Sequence, residues 1–263
     1  MRAGARRRLS RPWRPFARRA AIPAAFLLAS IGAGSQGGAS EAIVSAAYTA
    51  PTGRYPHGAL GDTTEHAGLS VRLSDGRTLG VRFDKGIVFE DTEPRLADLD
   101  GDGAPEVIVV ESDPGLGARL AVWTLRDRAL YRLAATDFIG KRFRWLAPVG
   151  AADLDGDGQV EIAYVETPHL GKVLKIVRLA GDRLVPVAKA AGLTNHVNGD
   201  TFIQGGVFRC GEGMVLLTAD ARWTRIVGTM LDRGRLRHRD LGPYEGPESF
   251  GRIAGCRAAM AAS

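Results

Sequence analysis

The 263-residue sequence is short of several features that usually announce a function. It has two cysteines, Cys210 and Cys256, so no Cys-x-x-Cys pair and no thiolate metal centre can be built. No phosphate-cradling glycine loop, no His-x-x-x-His pair and no Ser-His-Asp signature occurs in the body. Helical periodicity is also missing. Beyond the first forty residues no apolar run approaches the roughly 20 residues that a spanning helix needs. Acidic residues are absent from positions 1–39, which carry eight arginines. Removing those eight from the 35 basic residues leaves 27 against 29 acids, so residues 40–263 have a net charge of −2. A nearly neutral body lacks the clustered basic excess of a nucleic-acid binder, which that absence excludes.

The same first segment has an order of its own. An arginine-rich stretch ends at Arg18-Arg19, an apolar run follows over residues 20–31, and small residues continue to Ala39. Positive, apolar, then small is the pattern of a bacterial secretory signal. The expectation is a leader over 1–39, cleaved on export, and a mature periplasmic or secreted protein with no stable membrane insertion. Export through the Sec or the twin-arginine route is left open.

The body repeats. Asp98-Leu99-Asp100-Gly101-Asp102-Gly103-Ala104-Pro105-Glu106 recurs as Asp153-Leu154-Asp155-Gly156-Asp157-Gly158-Gln159-Val160-Glu161, an offset of 55. The runs that follow, Val107–Glu111 and Ile162–Glu166, match as well, and 117–125 matches 171–179 at an offset of 54. Adding 55 again takes Gly150, Gly156, Gly158 and Val160 to Gly205, Gly211, Gly213 and Val215, with the carboxylates lost. A looser first unit reads Leu69–Leu73, Thr78–Phe83 and Ile87–Phe89. Arg252–Cys256 resembles the first strand of a further unit. Strand-length apolar runs between Gly and Asp turns, four to a unit, predict an all-β β-propeller of about four to five four-stranded blades. It would occupy 40–256, with 257–263 as a tail, and the C-terminal strand would close the N-terminal blade. A β-sandwich with two metal-binding hairpins is the competing architecture.

The motif D-L-D-G-D-G-x-x-E between strands resembles the FG-GAP repeat of integrin-type propellers, which overlaps the VCBS repeat. Tyr55–Asp62 and Gly192–His196 also look like exported bacterial proteins of that class. The resemblance implies two structural Ca²⁺ sites. Asp98, Asp100, Asp102, the Ala104 carbonyl and Glu106 would form one; Asp153, Asp155, Asp157, the Gln159 carbonyl and Glu161 would form the other. Alternating carboxylates in a tight loop suit an oxygen-loving cation of flexible geometry.

If calcium only stiffens the blades, function lies on the loops preceding each unit's first strand, which a propeller gathers around its axis. Glu93, Arg144, Trp145, His196 and Asp200 are the candidates there, and no catalytic residue is assigned. A binding or interaction module with a protein or carbohydrate ligand is the expectation, ahead of a hydrolase or lyase on saccharides and of a structural envelope protein. Two cysteines in an exported chain suggest one disulfide, against two buried thiols. The repeat register sets both at the same end of first strands, so a Cys210–Cys256 bridge would clamp the closure across a loop of about 45 residues.

Overall fold

Each repeat buries its second strand most deeply, because that strand has neighbours on both edges and packing on both faces. The structure, a computed structural model, describes residues 41–254 apart from Glu212. The segment 1–39, Cys256 and the tail 257–263 therefore lie outside the described residues. In chain order the elements are β1 (Ile43–Thr52), β2 (Glu65–Leu73), β3 (Thr78–Arg82), β4 (Val88–Phe89), β5 (Arg95–Ala97) and β6 (Glu106–Asp113). They continue with β7 (Gly117–Arg126), β8 (Ala129–Ala135), β9 (Leu146–Ala152), β10 (Glu161–Glu166), β11 (Val173–Ala180) and β12 (Arg183–Ala191). The last are β13 (Leu193–Thr194), β14 (Gly206–Cys210), β15 (Gly213–Asp220), β16 (Arg225–Asp232), β17 (Arg235–Pro243) and α1 (Glu248–Ala254).

The chain is all-β in curled antiparallel sheets, an arrangement compatible with a β-propeller. Three units have the same four-strand order: β5-β6-β7-β8, β9-β10-β11-β12 and β14-β15-β16-β17. β6 and β10 are buried almost throughout, whereas β8, β12 and β17 alternate between half-buried and exposed. That gradient matches continuous apolar runs inside and alternating ones at the edge. Each third–fourth pair breaks register once, at Val122/Trp123, Ile176/Val177 and Ile226/Val227. A bulge is a specific feature of a strand pair, and its recurrence extends the repeat into the unit that lost its carboxylates.

The first unit differs. It is made of β1, β2 and β3, with β1 paired along almost all of β2. The sequence reading missed β1, whose Ala, Ser and Thr residues carry little apolar signal. Ile87–Phe89, read as that unit's last strand, instead yields β4, which bridges β2 at His66 to β6 at Glu111 and Ser112.

Hydrophobic clusters join the units in series. Leu69, Val71 and Phe89 meet Val107, Val109 and Trp123; Ile108, Leu120 and Val122 meet Leu146, Ile162 and Tyr164; Val165, Leu174 and Ile176 meet Leu193, Leu216 and Leu231. The outer face of the last unit is covered by α1, whose Phe250 and Ile253 pack on Val215, Leu217 and Ile226.

That helix corrects the expected closing strand at Arg252–Cys256. Pro247 suits a helix entry, Phe250 and Ile253 fall three residues apart on one face, and Glu248 and Arg252 complement the two ends of the dipole. The return to the first unit is made instead by the segment between β13 and β14. Gly199 N donates to the Ala59 carbonyl at 3.0 Å, and a Cβ on Gly61 would lie 2.6 Å from the Gly199 oxygen.

If α1 seals the last sheet, Phe250→Ala should cost about 3 kcal/mol, the usual penalty for emptying a buried aromatic site. Urea unfolding measures it; a change below about 0.5 kcal/mol would show that the helix is only resting on the sheet.

Candidate functional site

The units differ most just before or within their first strands, and those differences converge. In the third unit the first strand is continuous as β9, led in by residues 141–145. In the second it is split into β4 and β5 by residues 90–94, and in the fourth into β13 and β14 by residues 195–205. The loops expected to precede the first strands are therefore, in two units, insertions inside them. They meet residues from the β10–β11 turn and the β1–β2 connection around a cavity of about 320 Å³, lined by His57, Phe143, Arg144, Trp145, Thr167, Pro168, His169, Leu170 and Asn198.

Glu90 stands behind this cavity, fully buried. One carboxylate oxygen contacts His57 Nδ1 and the other accepts from the Ser112 hydroxyl. Its backbone carbonyl accepts from the Trp145 indole at 2.7 Å. Burial is the main force raising its pKa, opposed by the His57 and Ser112 contacts. Tyr55, also buried, accepts from Phe143 N at 3.0 Å, and His57 stacks on the Phe143 ring at 5.0 Å. Phe143 and Thr167 both hold left-handed backbone, with φ of 56° and 47°, the kind of strain that clusters at working sites. Gly117 lets the 141–144 segment approach: its φ is +76° and a Cβ there would sit 2.2 Å from the Lys141 oxygen.

On the opposite wall His169 Nε2 lies 2.8 Å from His196 Nδ1, and His196 Nε2 lies 2.9 Å from the Asp200 carbonyl. Burial lowers the pKa of both rings, that of His169 to about 4. Asn195 donates to the Ala147 and Pro148 carbonyls at 3.2 and 3.3 Å.

Of the residues expected around the axis, Arg144 and Trp145 line the cavity. His196 is buried one layer behind it, and the Asp200 side chain accepts from Gln204. Glu93 is exposed, its carbonyl accepting from Arg95. His57, Glu90 and His169 were not singled out. One signal for His169 was present: at the offset of 54 it replaces Gly115 of a turn whose proline, Pro114, recurs as Pro168. Nothing comparable marked Glu90, whose role depends on partners from two other units.

The acidic loops lie at the far ends of the same strands. Glu106 opens β6 and Ser112 lies near its end, a separation of about 20 Å at strand rise. Asp98, Asp100 and Glu106 offer oxygens within 4.8 Å of one another, as do Asp153, Asp155 and Glu161. Two such clusters could bind a metal ion and are compatible with calcium. Asp98 accepts from Gly101 N and Gly103 N, and Asp153 from Gly156 N and Gly158 N, so each loop is wrapped on its first carboxylate. Asp102 and Asp157 accept from the amides two residues on, those of Ala104 and Gln159.

The two loops differ in one neighbour. At the position of Thr124, whose hydroxyl is 3.2 Å from Glu106, the third unit has Arg178. Its guanidinium contacts Glu161 and lies 2.9 Å from Asp157 and 3.7 Å from Asp155. No basic side chain pairs with the first loop among the described residues. The first donor set thus fits a divalent cation outright; the second holds a cation of its own.

Against known families, residues 98–164 match the FG-GAP-like repeat, a span that starts at the first acidic loop and runs through the second. The chain therefore carries an FG-GAP-like repeat, of the kind that suggests a propeller-type interaction module. A search of curated proteins found no match. No helix of the described residues is long and apolar enough to cross a membrane.

Burial also sets a pH dependence. Glu65, 4% exposed, has its pKa pushed up to about 9 by desolvation and then by Glu90, Asp62 and Asp91. The native state keeps a proton that the unfolded chain releases near 4.5, so stability falls as pH rises through that window. His169 and His196 act on the other side: their native pKa is lowered, so stability is lost as pH falls from 6.5 toward 4. Glu65→Gln should flatten the alkaline limb of stability against pH in urea unfolding and leave the acid limb in place. An unchanged alkaline slope would contradict this assignment.

Proposed function

Starting from an FG-GAP-like repeat with a built cavity, we propose that the chain is an exported, calcium-stabilised β-propeller of four blades that acts as a binding module. The carrying observation is the cavity. It is assembled from three blades, walled by Phe143, Trp145 and Pro168, and given few polar groups, which is the usual make-up of a ligand site. An export leader over 1–39 and a Cys210–Cys256 bridge belong to the same reading. Calcium stays with the acidic loops: at about 20 Å along β6 from the cavity end, an ion there holds strand ends and takes no part at the ligand. Asp98, Asp100 and Glu106 would hold the first ion. Asp153, Asp155 and Glu161 would hold the second more weakly, because Arg178 already offsets their charge.

Calorimetric titration with calcium should resolve one tight and one weak site. Asp100→Ala should remove most of the calcium-dependent rise in unfolding midpoint, and Arg178→Thr should tighten the second site at least tenfold. Two equal sites in the parent protein would refute the Arg178 argument, and no calcium effect at all would refute calcium stabilisation.

The binding reading is tested by equilibrium dialysis of the whole protein against a library of small acids, saccharides and short peptides, with Trp145 fluorescence as the site reporter. A compound retained and recovered intact, with a changed Trp145 signal, is the expected result. Recovery of cleaved compounds would replace the module by the hydrolase or lyase reading. No retention would favour the structural one.

A further inference from the structure

Two imidazoles line the cavity, and each is held from behind through one ring nitrogen. A backbone carbonyl only accepts, so His196 must carry its proton on Nε2, toward Asp200. Held neutral by burial, His196 presents Nδ1 as an acceptor, which His169 Nε2–H fills at 2.8 Å. His169 is itself neutral near pH 7. Its remaining nitrogen, Nδ1, therefore keeps a lone pair.

His57 is held on its other side. Its Nδ1 contacts Glu90, which is fully buried and needs such partners. With Nδ1 engaged by the acid, the other ring nitrogen, Nε2, is the one left for the cavity. Ser112 occupies the second Glu90 oxygen, so it orients the acid and is not placed to be a nucleophile. The cavity thus holds one fixed acceptor, His169 Nδ1, and a second ring nitrogen, His57 Nε2. Beside them is Arg144, which has one N–H on the Phe143 carbonyl at 3.0 Å and no carboxylate partner among the described residues.

We propose that this cavity binds a polyhydroxy carboxylate of about hexose size. Its carboxylate pairs with Arg144, one hydroxyl donates to His169 Nδ1, and another hydrogen-bonds His57 Nε2. This rests on the binding-module reading above and specifies its ligand class. A simple fatty acid would leave both imidazole nitrogens desolvated and unpaired, and a neutral polyol would leave Arg144 unmatched. A site built to hydrogen-bond a hydroxyl discriminates strongly against analogues that lack it.

Three probes of equal chain length separate these contributions: D-gluconate, sorbitol and hexanoate, titrated calorimetrically into the full protein at low salt and neutral pH. Gluconate should bind at least tenfold more tightly than either control. Arg144→Gln should erase its advantage over sorbitol, and His169→Leu its advantage over hexanoate, with Trp145 fluorescence unchanged in the unliganded variants as a check on the walls. Long-range ¹H–¹⁵N spectra should show His169 neutral and protonated on Nε2. Sorbitol or hexanoate binding as well as gluconate, or His169 protonated on Nδ1, would overturn the proposal. No gluconate binding while the dialysis retains another compound overturns the ligand class alone; no binding in either experiment overturns the module reading with it.

Discussion

The cavity depends on a single buried carboxylate. Glu90 cannot stay buried without partners, and none is available within its own five-residue insertion. It finds His57 in the β1–β2 connection, Ser112 on β6 and, through its backbone carbonyl, the Trp145 indole ahead of β9. Three units are held at one point because leaving any donor out would leave a buried carboxylate or carbonyl oxygen unpaired. The stacking of His57 on Phe143 and the hydrogen bond from Phe143 to Tyr55 then fix the strained turn that carries Arg144 into the cavity.

The same stitching recurs one unit later with different atoms. By strand register Glu90 corresponds to Ala147, and both backbone carbonyls accept from a side chain of the following unit. The donor is Trp145 in one case and Asn195 in the other. Unlike a disulfide, this link tolerates substitution, since any donor of suitable reach can serve the carbonyl. That frees the side chain at the Glu90 position to become part of a site.

Much of the fold was legible because repeats reveal themselves by internal comparison. The offset of 55 located β6 and β10 and both acidic loops, and the glycines at 205, 211 and 213 located the degenerate unit. What was not legible had weak local signal or distant partners. β1 is written in alanine, serine and threonine and takes its order from a full-length pairing with β2. Arg252–Ile253–Ala254 looks like the start of a strand by similarity to residues 95–97, but Phe250 before it and the open face of the last sheet favour a helix. Arg144 and Trp145 could be picked out as cavity residues from their place ahead of a first strand. His57 and Glu90 could not, since they sit 33 residues apart and become neighbours only through the β4 bridge.

The divergence of the two acidic loops follows from their distance to that site. Both loops lie at the starts of second strands, and the cavity lies at their ends. A change at the loop therefore alters how the strand is anchored without adding or removing a group at the cavity. In the third unit Arg178 supplies positive charge to Asp155, Asp157 and Glu161 from within the sheet. In the second, Thr124 supplies only a hydroxyl to Glu106, and no basic side chain pairs with Asp98 or Asp100 among the described residues. The second unit carries Glu90 and Ser112, and the cavity is sensitive to their placement. The two ends of β6 are therefore anchored by different chemistry: buried hydrogen bonds to Glu90 at the cavity, and at the other end a carboxylate cluster with no basic partner among the described residues, compatible with a metal ion.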